Sequence, residues 1–191
     1  MNLLSFIIFA ALLVSTPFHE NIVLDKEEAQ KGFKLLLEIR KNPDNYALPL
    51  LYEKGLNVSK ILLQWNDTLA KVAEAKAYDM AKRNYFGHMD PDGIGINYFI
   101  NKSGYLLESK WLEKKDTNYF ESLVANVSNG EVAIKELIRD QNTPSLGHRK
   151  HLLGLDSWNG SLKDIGIGFC RRDSGSSYST YVCVIIAKHK W

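Results

Sequence analysis

Cysteine is nearly absent from this 191-residue chain, with only two in the whole sequence, and neither sign of charge dominates, 24 basic side chains facing 22 acidic ones. Two cysteines cannot build a disulfide-framework miniprotein or a four-thiolate zinc site, although one structural bridge is open to them. A formal net charge of +2 lacks the electrostatic excess of a nucleic-acid binder or a charged disordered tail. Beyond the N-terminus no apolar run reaches the ~18 residues that a membrane span needs, and there is no internal repeat or low-complexity tract. What remains is a chain of one-domain length, 45% hydrophobic, able to bury a substantial core.

The N-terminal run from Leu3 to Thr16 is uncharged, ends in small side chains and stops at Pro17. It reads as a signal peptide over residues 1–16, cleaved near Ser15 or Thr16, which implies a secreted, extracellular or periplasmic protein. The n-region carries no Lys or Arg, so an uncleaved anchor is the alternative. Residues 17–30 read as a lead-in and 31–191 as the folded domain.

Periodicity predicts helices first and a hairpin last. Asp25, with Glu28 three residues on, opens an apolar-periodic stretch through Ala29, Phe33, Leu36 and Arg40 that Asn42-Pro43 stops. A second helix is predicted from Asn66 to about Asn84, with Leu69, Val72, Ala73, Ala77, Met80 and Ala81 on one face. Asp90-Pro-Asp-Gly93 makes a turn, a short helix follows over 94–102, and further helices are expected at 131–140 and 146–153. Residues 165–170 and 181–186 read as strands. With the turn set about Gly175 to Tyr178, Cys170 and Cys183 fall opposite each other, so a cross-strand disulfide is expected in an oxidising compartment. Two buried free thiols are the alternative; no histidine lies near either cysteine in sequence, which disfavours catalysis or metal binding there.

Candidate chemistry centres on His88 in Tyr85-Phe-Gly-His-Met-Asp-Pro91 and His148 in Leu146-Gly-His-Arg-Lys-His151. Each follows a glycine, which allows close backbone approach, and an imidazole there can bind a divalent cation or carry a proton. Taken alone, such a histidine is more often a structural hydrogen-bonding group. Ser145 reads as a helix cap rather than a nucleophile, and there is no His-Glu-x-x-His, Gly-x-Ser-x-Gly or phosphate-binding loop. Five Asn-x-Ser/Thr sequons, at Asn57, Asn66, Asn101, Asn126 and Asn159, are uninformative without a compartment, and Asn66 is accounted for as a helix cap.

The order Leu62-Leu-Gln-Trp65-Asn66 with Leu69-Ala70, Ala77-Tyr-Asp-Met-Ala81, Tyr85-Phe-Gly-His88, Pro91-Asp-Gly93, Gly104-Tyr105, Gly147-His-Arg149, Leu152-Leu-Gly154 and Ile165-Gly-Ile-Gly168 resembles the CAP superfamily. That group comprises the cysteine-rich secretory, antigen 5 and pathogenesis-related 1 proteins, and the sequence is most similar to its bacterial-type SCP-like extracellular branch. The resemblance implies an α+β fold, a three-layer α-β-α sandwich with a small antiparallel sheet, and a central cleft of two histidines and two acids. His88 and His148 match the family histidines. Glu121 matches the first acid, standing sixteen residues before Leu137, which replaces the usual tryptophan, and Asp140 falls at the second acid. Two imidazoles with one or two carboxylates suit a labile divalent metal, Zn²⁺ or alternatively Ca²⁺ or Mg²⁺, with His88 and His148 as ligands. His151 is read as structural.

The function so implied is a binding or interaction module, rather than an enzyme, with a protein or lipid partner. The alternatives are a metal-dependent hydrolase acting on peptide or cell-wall material, and a purely structural His/acid cluster.

Overall fold

The computed structural model describes residues 21–141, 143–173 and 175–190. The N-terminal segment read as a signal peptide lies outside the described residues. Five helices and five strands are placed in the order β1 (Ile22–Leu24), α1 (Lys26–Lys41), β2 (Gln64–Trp65), α2 (Asp67–Arg83), α3 (Ile96–Lys102), β3 (Glu121–Ala125), α4 (Gly130–Arg139), α5 (Gly147–Leu153), β4 (Asp164–Arg172) and β5 (Thr180–Ala187) among the described residues. β1 and the first turn of α1 fall within the lead-in.

Local chemistry accounts for the helix ends. Asp25 Oδ1 accepts the Glu28 N–H at 3.2 Å at the start of α1, and Asn66 Oδ1 accepts the N–H groups of Thr68 and Leu69 at 3.0 and 3.1 Å at the start of α2. α2 closes on Asn84 in the left-handed conformation, φ 52°, a role asparagine tolerates.

The sheet runs β1-β4-β5-β3, antiparallel throughout, with the two-residue β2 added parallel to β4. α2 covers one face, while α1, α4 and α5 pack together on the other, giving three layers. What permits this is the small-residue seam between α2 and β4. A Cβ on Gly166 would stand 2.1 Å from the Ala70 nitrogen, and one on Gly168 would stand 2.3 Å from the Ala73 carbonyl carbon. With Ala73, Ala77 and Ala81 buried on the facing side of α2, helix backbone lies almost directly on strand backbone.

Strand alternation then divides the polar residues of β3 between the layers. Glu121 pairs with Ile185, which pairs with Gly166, so Glu121 shares the α2 face; Ser122, one residue on, faces the α5 side.

The hairpin register corrects the expected disulfide. The Arg172 N–H donates to the Ser179 carbonyl at 2.9 Å, so the turn is centred one residue earlier than the sequence suggested. Cys183 therefore pairs with Gly168, and Cys170 with Tyr181. Diagonal neighbours of this kind lie about 7–8 Å apart, beyond the span of a disulfide. Both thiols are free and buried, and burial pushes the Cys170 pKa up to about 11.

Two outcomes are expected. A thiol reagent should react with neither cysteine in the native protein and with both after unfolding. Gly168→Ala should cost about 3 kcal/mol in urea denaturation, whereas Gly87→Ala, whose added Cβ would meet nothing closer than 3.7 Å, should cost far less.

Candidate functional site

At the start of β3, where the two helical layers meet, a pocket of about 360 Å³ is lined by His88, Asn118, Glu121, Ser122, His148 and His151, among others. Its two principal histidines arrive from opposite layers: His88 from the loop after α2, His148 from the first turn of α5.

Both arms have the same construction. His88 Nδ1 stands 2.8 Å from Glu121 Oε1, and the imidazole is 46% exposed over a carboxylate that is 0% exposed. His148 Nδ1 stands 2.8 Å from Asp140 Oδ1, with exposures of 28% and 1%. A carboxylate only accepts, so in each pair Nδ1 carries the proton and Nε2 keeps its lone pair. Asn118 Nδ2 also lies 2.9 Å from His88 Nδ1, but its amide is fixed by the main chain: Oδ1 accepts the N–H groups of Phe120 and Glu121, and Nδ2 donates to the Glu121 carbonyl. An amide nitrogen only donates, so Asn118 competes with Glu121 for this ring atom; the charge of the carboxylate, which a lone pair on Nδ1 would repel at 2.8 Å, decides for Nδ1–H.

Glu121 and Asp140 are held by different means. Glu121 Oε2 receives the thiol of Cys183 at 3.5 Å. Burial, then the neighbouring Glu121, push that thiol well above its ordinary pKa, so it is a donor. Asp140, in the left-handed conformation at the end of α4, turns its Oδ2 onto the His148 and Arg149 N–H groups at 2.9 and 3.3 Å. It thereby caps α5, a role the sequence assigned to Ser145; the residue at the cap position is Leu146, which offers no side-chain acceptor. Arg149 answers in the other direction, its guanidinium donating to the Ile138 and Arg139 carbonyls at 2.6 Å each. The end of α4 and the start of α5 thus satisfy each other's orphan groups. Burial alone would raise the Asp140 pKa; hydrogen bonds from the His148 ring, from Thr143 and from the Arg149 N–H outweigh it and hold the carboxyl below its ordinary value.

The glycines before the two histidines are not required for close approach. An added Cβ would meet nothing nearer than 3.7 Å at Gly87 and 3.6 Å at Gly147.

His151 is structural. Its Nε2 donates to the Ile186 carbonyl at 3.3 Å, which leaves Nδ1 to accept the Ser122 hydroxyl at 2.7 Å. Burial drives its pKa down to about 4, helped by the positive charge of Arg40. No signal in the sequence marks the Ser122 contact, because β3 itself is not predicted.

The family pattern of the cysteine-rich secretory proteins, CAP, matches residues 53–185, more than half of the chain. The chain belongs to the CAP family. It is 29% identical over 117 residues to the Bacillus subtilis protein YkwD, covering 61% of this chain and 37% of that protein. It resembles in fold an extracellular protein containing a SCP domain from Bacillus anthracis, with a TM-score of 0.52, 21% identity, and coverage of 86% of this chain and 41% of the other. An outer surface protein from Borrelia burgdorferi gives a TM-score of 0.56 at 18% identity, covering 88% of this chain and 98% of the other. The chain thus spans well under half the length of the two Bacillus proteins, and at these identities the structural likenesses carry the fold alone. The CAP chain has a three-layer α-β-α fold, and among the described residues no helix is long and apolar enough to cross a membrane.

The buried His151 makes a pH prediction. Its folded pKa lies below the unfolded value of about 6.5, so as pH falls through that value the unfolded chain takes up a proton that the folded chain refuses. Stability should fall between pH 6.5 and about 4 by up to ~1.4 kcal/mol per pH unit from this group. His151→Gln should flatten that slope in urea unfolding measured against pH, whatever it does to absolute stability.

Proposed function

We propose that this CAP chain is an exported binding module whose cleft holds a labile divalent cation between His88 and His148. The observation that carries the reading is that two partly exposed imidazoles in one pocket each have Nδ1 engaged by a buried carboxylate, the arrangement that leaves Nε2 aimed at a metal. The donor set suits Zn²⁺ first, with Ca²⁺ or Mg²⁺ less favoured by nitrogen ligands. Among the described residues no three His, Cys, Asp or Glu side chains form a group able to hold a metal. Two protein ligands completed by water or by a partner's donor make a labile site rather than a structural cage. A bound zinc ion would supply Lewis acidity and a more acidic water. The chain's own residues do the rest: Glu121 and Asp140 fix the rings, and Asn118 and His151 hold the floor.

The rim supports a binding role. Tyr119 lines the pocket and is 46% exposed. Tyr119 packs edge-on against Phe120 and Trp158, and Trp158 edge-on against Trp111. An exposed aromatic at the edge of a polar cleft suits a protein partner that brings a donor to the ion. A separate cavity of about 740 Å³ between α2 and α3 has an apolar wall of Val72, Ala75, Ile96 and Phe99 beside the charged stripe of Lys76, Asp79 and Arg83; the apolar wall supports the lipid alternative. Export is supported by the apolar N-terminal run and by the extracellular and outer-surface descriptions of the two structural relatives.

Hydrolysis through a hydroxyl nucleophile is the weaker reading. Ser122 is 1% exposed, and its partner His151 is a poor base near neutral pH.

The test is a zinc titration by calorimetry with thermal melts alongside. The wild type should bind a single ion per chain and melt higher with zinc. His88→Ala and His148→Ala should each weaken binding about tenfold or more. A melting temperature indifferent to zinc and chelator, but lowered in both variants, would instead make the cluster purely structural.

A further inference from the structure

The His148 arm is anchored by helix ends; the His88 arm sits on a loop, and its support comes from α2. Lys76, Asp79 and Arg83 follow one another at i, i+3 and i+7, one stripe of that helix. Lys76 is 6% exposed, a position a lysine ordinarily takes only with a carboxylate. Among the described residues no carboxylate lies within ion-pairing distance of its ammonium. Nζ donates instead to the His88 carbonyl and the Tyr85 hydroxyl, each at 3.2 Å, and lies 4.9 Å from the centre of the Tyr85 ring. The Tyr85 hydroxyl donates onward to Asp79 Oδ2 at 2.8 Å. Asp79 takes two bonds from Arg83, at 2.9 and 2.8 Å, and Arg83 reaches across to Asp92 at 2.7 Å and Asp90 at 3.3 Å. Asp90 Oδ1 in turn accepts the Asp92 and Ile94 N–H groups, closing the turn that follows His88.

We propose that Lys76 is the positioning residue for His88, holding the histidine's main chain over Glu121 through a stripe of α2 that ties down both ends of the 85–94 loop. This deepens the metal-cleft reading and rests on it only for the consequence in metal affinity. Burying an unpaired ammonium is costly. Here that cost fixes one carbonyl and one phenol, at the residue whose ring must face the cleft and at the residue three before it. Lys76 lines the cavity between α2 and α3 rather than the histidine cleft, and it bonds the His88 carbonyl rather than the imidazole, so its effect passes through the His88 backbone. The His148 arm, built from α4 and α5, shares none of these contacts.

Nitrogen-15 spectra of the histidine rings in metal-free protein test this, with cobalt binding as second readout. Wild type should show His88 protonated on Nδ1. Lys76→Met, which keeps the stem and removes the amine, should shift the His88 signals toward the Nε2–H form while those of His148 and His151 stay in place, and cobalt affinity should fall about tenfold. Tyr85→Phe deletes only the hydroxyl link and should move His88 in the same sense by a smaller amount. If Lys76→Met fails to melt cooperatively, Tyr85→Phe decides. Unchanged His88 signals in the folded variants, or equal movement of all three histidines, would overturn the proposal. A wild type that binds no cobalt while His88 alone moves would overturn the metal reading and leave Lys76 in its role.

Discussion

A carboxylate removed from water must be given hydrogen-bond donors, and two such carboxylates organise this protein's cleft. Glu121 and Asp140 are buried to within 1% of side-chain exposure, so each needs donors from its surroundings. Each finds an imidazole Nδ1–H, which fixes ring and tautomer together. Their remaining needs are met differently: Glu121 takes a thiol from the neighbouring strand, and Asp140 takes the first N–H groups of a helix. The short side chain of Asp140 is adequate because its left-handed backbone turns the carboxylate back onto α5. The same residue therefore ends one helix, begins the next and orients His148.

The two arms can meet because the sheet is thin. Gly166 and Gly168 let α2 rest on β4, and alternation along β3 hands Glu121 to the α2 side and Ser122 to the α5 side. Arg40, buried with its pKa lowered to about 10 by desolvation, donates to the Leu152 carbonyl at 2.7 Å and so ties α1 to the end of α5. The cleft is thus a junction of three layers rather than a feature of one loop, and either histidine could be misplaced by a change far from it.

Much of this is legible in the sequence, and the rest is missing for identifiable reasons. Helices with a capping residue at each end, such as Asn66 to Asn84, declare themselves, and the Ile165-Gly-Ile-Gly168 seam is visible as alternation with glycine. β3 is not: Glu121-Ser-Leu-Val-Ala125 is short, opens with a charge, and is a strand because β5 pairs with it, a tertiary cause. The cysteine pairing is beyond sequence because a shift of one residue in a glycine-serine turn moves the register by two, which changes opposite neighbours into diagonal ones. Lys76 is one more lysine of an amphipathic helix, with no motif to mark it, although its spacing of four from Val72 and from Met80 sets it on the apolar face. Only the fold reveals that it is buried beneath the His88 loop.

With both imidazoles held at Nδ1 by carboxylates, the proposed cation would sit between their Nε2 atoms. Anomalous diffraction from a zinc-soaked crystal, collected on both sides of the zinc edge, tests it most directly. The expected result is a peak within bonding distance of Nε2 of both His88 and His148, with Glu121 and Asp140 still bonded to the Nδ1 atoms. A peak on the Asp79, Asp90 and Asp92 carboxylates instead, or histidine rings turned so that Nδ1 faces the cleft, would contradict it.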